Sequence, residues 1–228
     1  MNMAGGAREL KTRGYVLRRT NYGEADRILG IITPEGKVSV IAKGVRRPKS
    51  RLAGGVEIFT LSDIVVRFGK SELGTLTGAR MVEYYGGILK DYGKMALASE
   101  ILKKVERASE SSDSAEYFEL VRESLTAIDR GVRLDVVDVW FRLNLMRVMG
   151  EEPNMYRDIT GEKLKEDRMY DWNVAEGAFE ERGSGGYGAD EIKIVRLMLA
   201  AKLDVVLRVK DVMQKIGKIS NLIGVMVK

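Results

Sequence analysis

The hydrophobic pattern changes its period once along the chain, near residue 85, and that change limits the architectures open to it. From Tyr15 to about Tyr85, short β-branched-rich runs are separated by Gly and Pro, as expected of strands spaced for a small barrel or sandwich. Five runs stand out: Gly14 to Arg18, Arg27 to Thr33, Lys37 to Lys43, Val56 to Phe68 and Leu73 to Met81. Pro34-Glu35-Gly36 separates the second from the third; Pro fixes φ and Gly accepts a positive one, which predicts a hairpin. Val38 and Val40 alternate with Lys37 and Ser39, so these strands bury one face. After Tyr85 apolar residues recur at helical spacing over Met95 to Ala108, Ala115 to Ile128 and Leu134 to Met149, and Asp113 with Glu116 resembles a capping box. The stretches Leu134 to Met149 and Ile192 to Val209 are apolar almost all round, which predicts helices buried against others. Strands first and helices second, without βαβ alternation, give an α+β chain of two successive modules. The boundary falls near Gly86-Gly87, leaving a β module at 1–85 and a helical module at 86–228. Pro153, dense charge and the Gly183-Ser184-Gly185-Gly186-Tyr187-Gly188 run mark an irregular insertion at about 150–188.

The 228 residues include no Cys and no His. Disulfides, thiolate or imidazole metal ligation and every Ser-His or Cys-His device are therefore excluded. Carboxylates, Lys, Tyr, Ser/Thr hydroxyls and a carboxylate-bound hard cation remain for chemistry, and the bias is towards a binder without a cofactor. The longest uncharged run, Ile219 to Val227, is far below the roughly 20 residues that cross a bilayer. Met1 to Gly14 has no apolar core for a signal peptide, so a cytoplasmic protein without a membrane partner is expected.

Several motifs have plain structural explanations. Gly183, Gly185 and Gly188 match G-x-G-x-x-G, but no buried strand precedes them, so a glycine-rich loop is expected. Phe68-Gly69-Lys70-Ser71 lacks the first glycine of a phosphate loop, because Ile64 stands there, and reads as a turn. Asp135 with Asp138, and Glu162 with Glu166, are carboxylate pairs at helical spacing with no visible neighbour to perturb them; solvated helix edges explain both.

Charge is distributed unevenly. Residues 1–85 carry 15 Lys/Arg against eight Asp/Glu, or +7, whereas the remainder carries 23 against 25, or −2. A basic first module suggests a polyanionic partner. The densest cluster is Lys43-Gly44-Val45-Arg46-Arg47-Pro48-Lys49-Ser50-Arg51, in a predicted loop after the third strand. Arg18, Arg19 and Arg27 come from the first two strands, so a small barrel could gather all eight cations (Arg18, Arg19, Arg27, Lys43, Arg46, Arg47, Lys49 and Arg51) on one surface, where counterion release drives binding. Tyr15 and Tyr22 are candidates for base stacking. A five-stranded barrel of this size suggests an OB-fold, a scaffold that commonly binds single strands.

The order Gly14-Tyr15-Val16-Leu17-Arg18-Arg19, Tyr22-Gly23-Glu24-Ala25-Asp26-Arg27, Thr33-Pro34-Glu35-Gly36-Lys37 and Ala42-Lys43-Gly44-Val45-Arg46-Arg47-Pro48-Lys49-Ser50-Arg51-Leu52 closely resembles the RecO family of DNA repair proteins. The close match covers roughly the first 85 residues, and the helical remainder agrees in order and length. The resemblance implies an N-terminal OB-fold barrel, a C-terminal helical domain, binding to single- and double-stranded DNA, annealing of complementary strands and loading of recombinase at gaps. It implies two partners, the ring-forming RecR and the acidic C-terminal tail of single-stranded DNA-binding protein, and a recombination mediator rather than an enzyme. Arg142 and Arg147 are candidate carboxylate partners for that tail on the helical module. Many family members carry a zinc site that begins C-x-x-C-G in the insertion. The matching stretch here is Arg157-Asp158-Ile159-Thr160-Gly161, and the second pair falls near Tyr187 and Asp190, so no zinc is expected. Packing of Tyr156, Tyr170, Trp172 and Phe179 is expected to hold the insertion instead. Two rival functions fit the same charge: a metal-dependent nuclease using Glu24, Asp26, Glu35 or Glu57, and a structural RNA-binding module.

Overall fold

The computed structural model describes residues 8–110 and 115–226. The chain divides into two compact units, residues 1–130 and 131–228. In the first, β1 (Arg8–Tyr22), β2 (Asp26–Thr33), β3 (Gly36–Ala42), β4 (Thr60–Phe68) and β5 (Gly74–Tyr84) close a barrel in the order β1-β2-β3-β5-β4. Neighbours are antiparallel except β3 and β5, which run parallel through two residue pairs, Val40 with Gly74 and Ile41 with Thr75. The five-stranded barrel and the α+β class agree with the sequence reading.

Strand β1 pairs with a different neighbour along each half of its length. Its first half pairs with β4, from Arg8 opposite Phe68 to Tyr15 opposite Leu61, and its second half pairs with β2, from Tyr15 opposite Ile32 to Tyr22 opposite Asp26. The register shifts between Val16 and Arg18, the bulge that lets one strand turn a barrel corner. Gly14 stands just before that corner because a Cβ there would lie 2.5 Å from Ile31 Cγ2. Val16, Leu29, Ile31, Val40, Ala42, Ile64, Val66 and Leu76, from alternate positions of the strands, fill the interior together with Val56 from the turn before β4.

The hairpin at Pro34-Glu35 forms as expected, with Thr33 opposite Gly36 and Gly36 at φ 116. Strand limits differ elsewhere. β1 begins at Arg8 rather than Gly14, because Glu9, Lys11 and Arg13 occupy its outward positions and mask the alternation with Leu10 and Thr12. The fourth run is not one strand: Ala53–Val56 forms a 3-10 turn, Phe59 adopts φ 58, and β4 starts only at Thr60. Gly55 permits that turn to rest on β5, since a Cβ would meet the Ala79 carbonyl carbon at 2.6 Å. Two helices, α1 (Tyr92–Ala108) and α2 (Glu116–Asp129), complete this unit. Asp91 caps α1 by accepting the Lys94 N–H at 2.9 Å. Asp113 of the expected capping box lies outside the described residues; Ala115 stands at the N-cap of α2 and supplies no side-chain bond.

The second unit contains α3 (Leu134–Val148), the antiparallel pair β6 (Tyr170–Asn173) and β7 (Ala178–Glu181), α4 (Ala189–Ala200), α5 (Leu203–Val206) and α6 (Lys210–Met226). The expected helix over Ile192 to Val209 is interrupted at Ala201 and Lys202, whose extended backbone separates α4 from α5. Buried Asn144 fixes that break and its neighbour, donating to Trp140 O at 2.9 Å and Met198 O at 3.0 Å, while Trp140 Nε1 donates to Ala201 O at 3.1 Å. The insertion is more regular than its composition suggests, because β6 and β7 pair across it. Tyr170 and Phe179 are buried and Trp172 stands edge-on to Phe179 at 5.2 Å, as expected. Tyr156 differs: it is exposed, and its ring lies 4.6 Å from the Arg196 guanidinium. Arg196 also donates twice to Met155 O, at 2.9 and 2.7 Å, tying the start of the insertion to α4. No described helix is long and apolar enough to cross a membrane.

Candidate nucleic-acid interface

Two chain reversals meet at one end of the barrel. The β1–β2 turn passes through Gly23 at φ 54, and the loop after β3 begins at Gly44 with φ 63. Asp26 Oδ1 accepts the Gly44 N–H at 2.7 Å, and Ala25 O accepts the Arg46 N–H at 2.9 Å, so the turn carries the loop. Val45 is buried in the core between exposed Lys43 and exposed Arg46. One apolar anchor thus holds the loop's backbone while its neighbours face water. Successive turns, with Arg47 N–H donating to Gly44 O and Ser50 N–H to Arg47 O, carry the chain past Lys49 and Arg51, both exposed.

The eight sequence candidates separate into two groups. Lys43, Arg46, Arg47, Lys49 and Arg51 share this loop, and Arg27 lies beside it at the register position opposite Ala42. Arg27 Nε donates to Asn21 Oδ1 at 3.3 Å and Arg46 Nη1 to Gly23 O at 3.4 Å. Among the described residues, none of these six cations has a carboxylate within ion-pair distance. Arg18 and Arg19 are not brought into the group. As successive residues of β1 they point to opposite faces; Arg18 binds Glu106 of α1 and Arg19 binds Glu57 before β4.

Tyr15 is a correction. It is 1% exposed, packs on Phe118 at 5.3 Å between ring centroids and hydrogen-bonds Tyr85, so it belongs to the core and cannot stack on a base. Burial pushes its phenol well above the usual range. Tyr22, 54% exposed at the edge of the turn, remains available.

On α3, Arg142 Nε lies 3.3 Å from Asp138 Oδ2 and Arg147 Nε donates to Asn144 Oδ1 at 3.4 Å. Five residues apart on a helix, they diverge by about 140° and do not form one clamp. The carboxylate pairs likewise find cations: Asp135 binds Arg133, Glu162 binds Lys165 and Glu166 binds Lys193. The glycine cluster forms the turn into α4, where Gly186 N–H donates to Asp171 Oδ1 at 2.7 Å. Sequence reasoning missed Asp26 as the pin of the basic loop, because 18 residues and two strands separate it from Gly44.

Two family models cover most of the chain. The model described as recombination protein O N terminal matches residues 3–85, and that described as recombination protein O C terminal matches residues 89–223. The chain belongs to the RecO family. It is 33% identical over 171 residues to the DNA repair protein RecO of Bacillus cytotoxicus, covering 74% of this chain and 68% of that one. The proteins of the same name from Bacillus cereus and Bacillus anthracis are 32% identical over the same shares. In the stretch Arg157-Asp158-Ile159-Thr160-Gly161, Asp158 organises the turn. Its Oδ1 accepts the Thr160 N–H at 2.9 Å, the Thr160 hydroxyl at 2.6 Å and the Glu162 N–H at 3.0 Å, and the Thr160 hydroxyl leads the contacts that hold its pKa below the usual carboxylate range. Among the described residues no three acidic side chains converge as a cation site; of the nuclease candidates, Asp26 pins Gly44, Glu35 accepts from Thr12 and Glu57 binds Arg19.

Proposed function

We propose that this chain is a cytoplasmic recombination mediator in DNA repair, which binds single- and double-stranded DNA through residues 1–85 and anneals complementary strands without covalent chemistry. The observation that carries this reading is the loop from Lys43 to Arg51. Its cations are exposed, its backbone is fixed by Asp26 and Val45, and among the described residues no carboxylate competes with phosphate for them. Cations placed along a phosphate backbone release condensed counterions and reduce the repulsion between two strands. Tyr22 at the loop's margin supplies a ring for base stacking.

The module at 86–228 then serves partners. RecR is one, and the acidic tail of single-stranded DNA-binding protein, met by Arg142 or Arg147, is the other; together they direct recombinase onto gaps. Membership of a family whose relatives are named for DNA repair supports this division. Annealing of complementary oligonucleotides, with magnesium present and ATP absent, tests the whole reading. Duplex formation that accelerates with protein and fades with salt is expected; strand cleavage would indicate a nuclease, and no acceleration would remove the annealing role. Preference for RNA in a competition experiment would favour the RNA-binding rival.

A further inference from the structure

A second cationic surface lies on the outside of the sheet formed by β1, β4 and β5. Glu9, Lys11 and Arg13 point outward from β1 opposite Arg67, Val65 and Asp63 of β4, and Arg80 of β5 stands opposite Asp63. Asp63 accepts Arg13 Nε at 3.1 Å through one oxygen and Arg80 Nη2 at 2.7 Å through the other. Glu9 does the same for Lys11 at 3.2 Å and Arg67 at 3.1 Å. Each carboxylate is thus shared by two cations, which leaves the face with four positive and two negative groups. The charges are also layered: the four cationic side chains are 58–81% exposed, whereas Glu9 and Asp63 are 32% and 36% exposed. The carboxylates sit beneath and orient the cations towards solvent.

We infer that this face holds a second single strand of nucleic acid while the 43–51 loop holds the first. The inference rests on the reading of the chain as a strand annealer, for which two backbones must be bound together. Lys11 and Arg13 repeat at every second residue, about 6.7 Å apart, an interval that successive phosphates of a stretched strand can match. Beside them an open groove of about 660 Å³ lies between the sheet and α2, lined by Leu61, Val65 and Phe118, by Lys11, Arg13 and Arg122, and by Asp63 and Glu119, which pair with Arg13 and Arg122. The apolar lining suits unpaired bases, and the more exposed Lys11 and Arg13 beside it suit their phosphates. Along β1, Arg13 is eight residues from Asn21, the partner of Arg27, or roughly 26 Å of strand, so the two surfaces occupy opposite ends of one element.

The test counts strands. A short fluorescent oligodeoxythymidine, which cannot pair with itself, is titrated into the full chain at low salt. Wild type is expected to bind two, and Arg13→Gln with Arg80→Gln to bind one and anneal complementary strands at least tenfold more slowly. Glutamine keeps donors for Asp63, and Lys11→Gln with Arg67→Gln, whose ion-pair partner is Glu9 rather than Asp63, repeats the experiment independently of any folding loss in the first variant. A wild-type stoichiometry of one, or two strands and unchanged annealing in both variants, would overturn the inference. Loss of a polyglutamate peptide instead of DNA from the variants would also overturn it, assigning the face to an acidic protein. Retention of DNA by Arg46→Ala with Arg47→Ala, together with loss in the glutamine variants, would reject the loop as the first site and leave this face standing.

Discussion

The phenolic oxygens of Tyr15 and Tyr85 lie 2.9 Å apart in the buried seam where the first strand meets the end of the fifth. Tyr85 donates onward to Glu83 Oε2 at 3.1 Å, so its oxygen accepts the Tyr15 proton and two hydroxyl donors in series end on a carboxylate acceptor. A ring so placed is a structural element. Tyr15→Phe should cost about 1 kcal/mol by removing one buried bond, and Tyr15→Ala about 3–5 kcal/mol by also opening a cavity. Urea unfolding measures both, and DNA affinity of the folded Tyr15→Phe protein should match wild type.

Arg18 and Arg19 provide an internal comparison for the basic loop. Both are already bound to carboxylates, so a phosphate must displace Glu106 or Glu57 to reach them. Alanine at both positions should weaken single-stranded DNA binding less than alanine at Arg46 and Arg47. Titration of one labelled oligonucleotide against both double variants at equal salt makes the comparison, and an equal or larger loss at Arg18 and Arg19 would show that the ion pairs yield to DNA.

Glu191 should set an acid limit for the second unit. Burial opposes its charge, but the Gly188 N–H and Lys215, with Lys218 nearby, outweigh burial and hold its pKa at about 2. A folded pKa below the usual 4.5 gives stability that is fully present above about pH 4.5 and lost as pH falls towards 2. The contribution at neutral pH is roughly 3 kcal/mol. Glu191→Gln should lose most of it at pH 7 and flatten the acid unfolding curve between those limits, as followed by circular dichroism.

Within the insertion, Asp158 takes three donors in the turn that lacks cysteines. Asp158→Ala should destabilise the protein by about 1 kcal/mol or more, whereas a chelator should leave the wild-type melting temperature unchanged. Stoichiometric zinc by elemental analysis would contradict a turn held by this carboxylate.

Much of the barrel was legible because β2 is a continuous β-branched apolar run, Val40 and Ala42 of β3 alternate with less buried neighbours, and Pro34-Glu35-Gly36 separates the two strands. The first half of β1 was not, since its inward positions offer only Leu10 and Thr12 against a run of charges. Phe59 at positive φ left no mark either, because nothing in its side chain demands that conformation. The helix α6 was missed where Lys210 to Met226 mixes charges among its apolar positions; its buried stripe, Val212, Ile216, Ile219 and Ile223, has helical spacing that the terminal run concealed. For the interface, proximity in sequence was enough to group Lys43 through Arg51. The partners of Arg18 and Arg19 are 88 and 38 residues away, respectively, and no local pattern joins residues at that range. The outer face of β1, β4 and β5 was hidden for the same reason: its four cations come from three strands, and the sheet alone makes them neighbours.

The phosphate grip of the loop is best measured as the salt dependence of single-stranded DNA affinity, comparing wild type with Arg46→Ala and Arg47→Ala together. Two lost phosphate contacts should lower affinity for every sequence alike and reduce the slope of log affinity against log salt by about two. An unchanged slope in a folded double variant would show that these arginines do not touch the backbone and that the loop is not the DNA-binding surface.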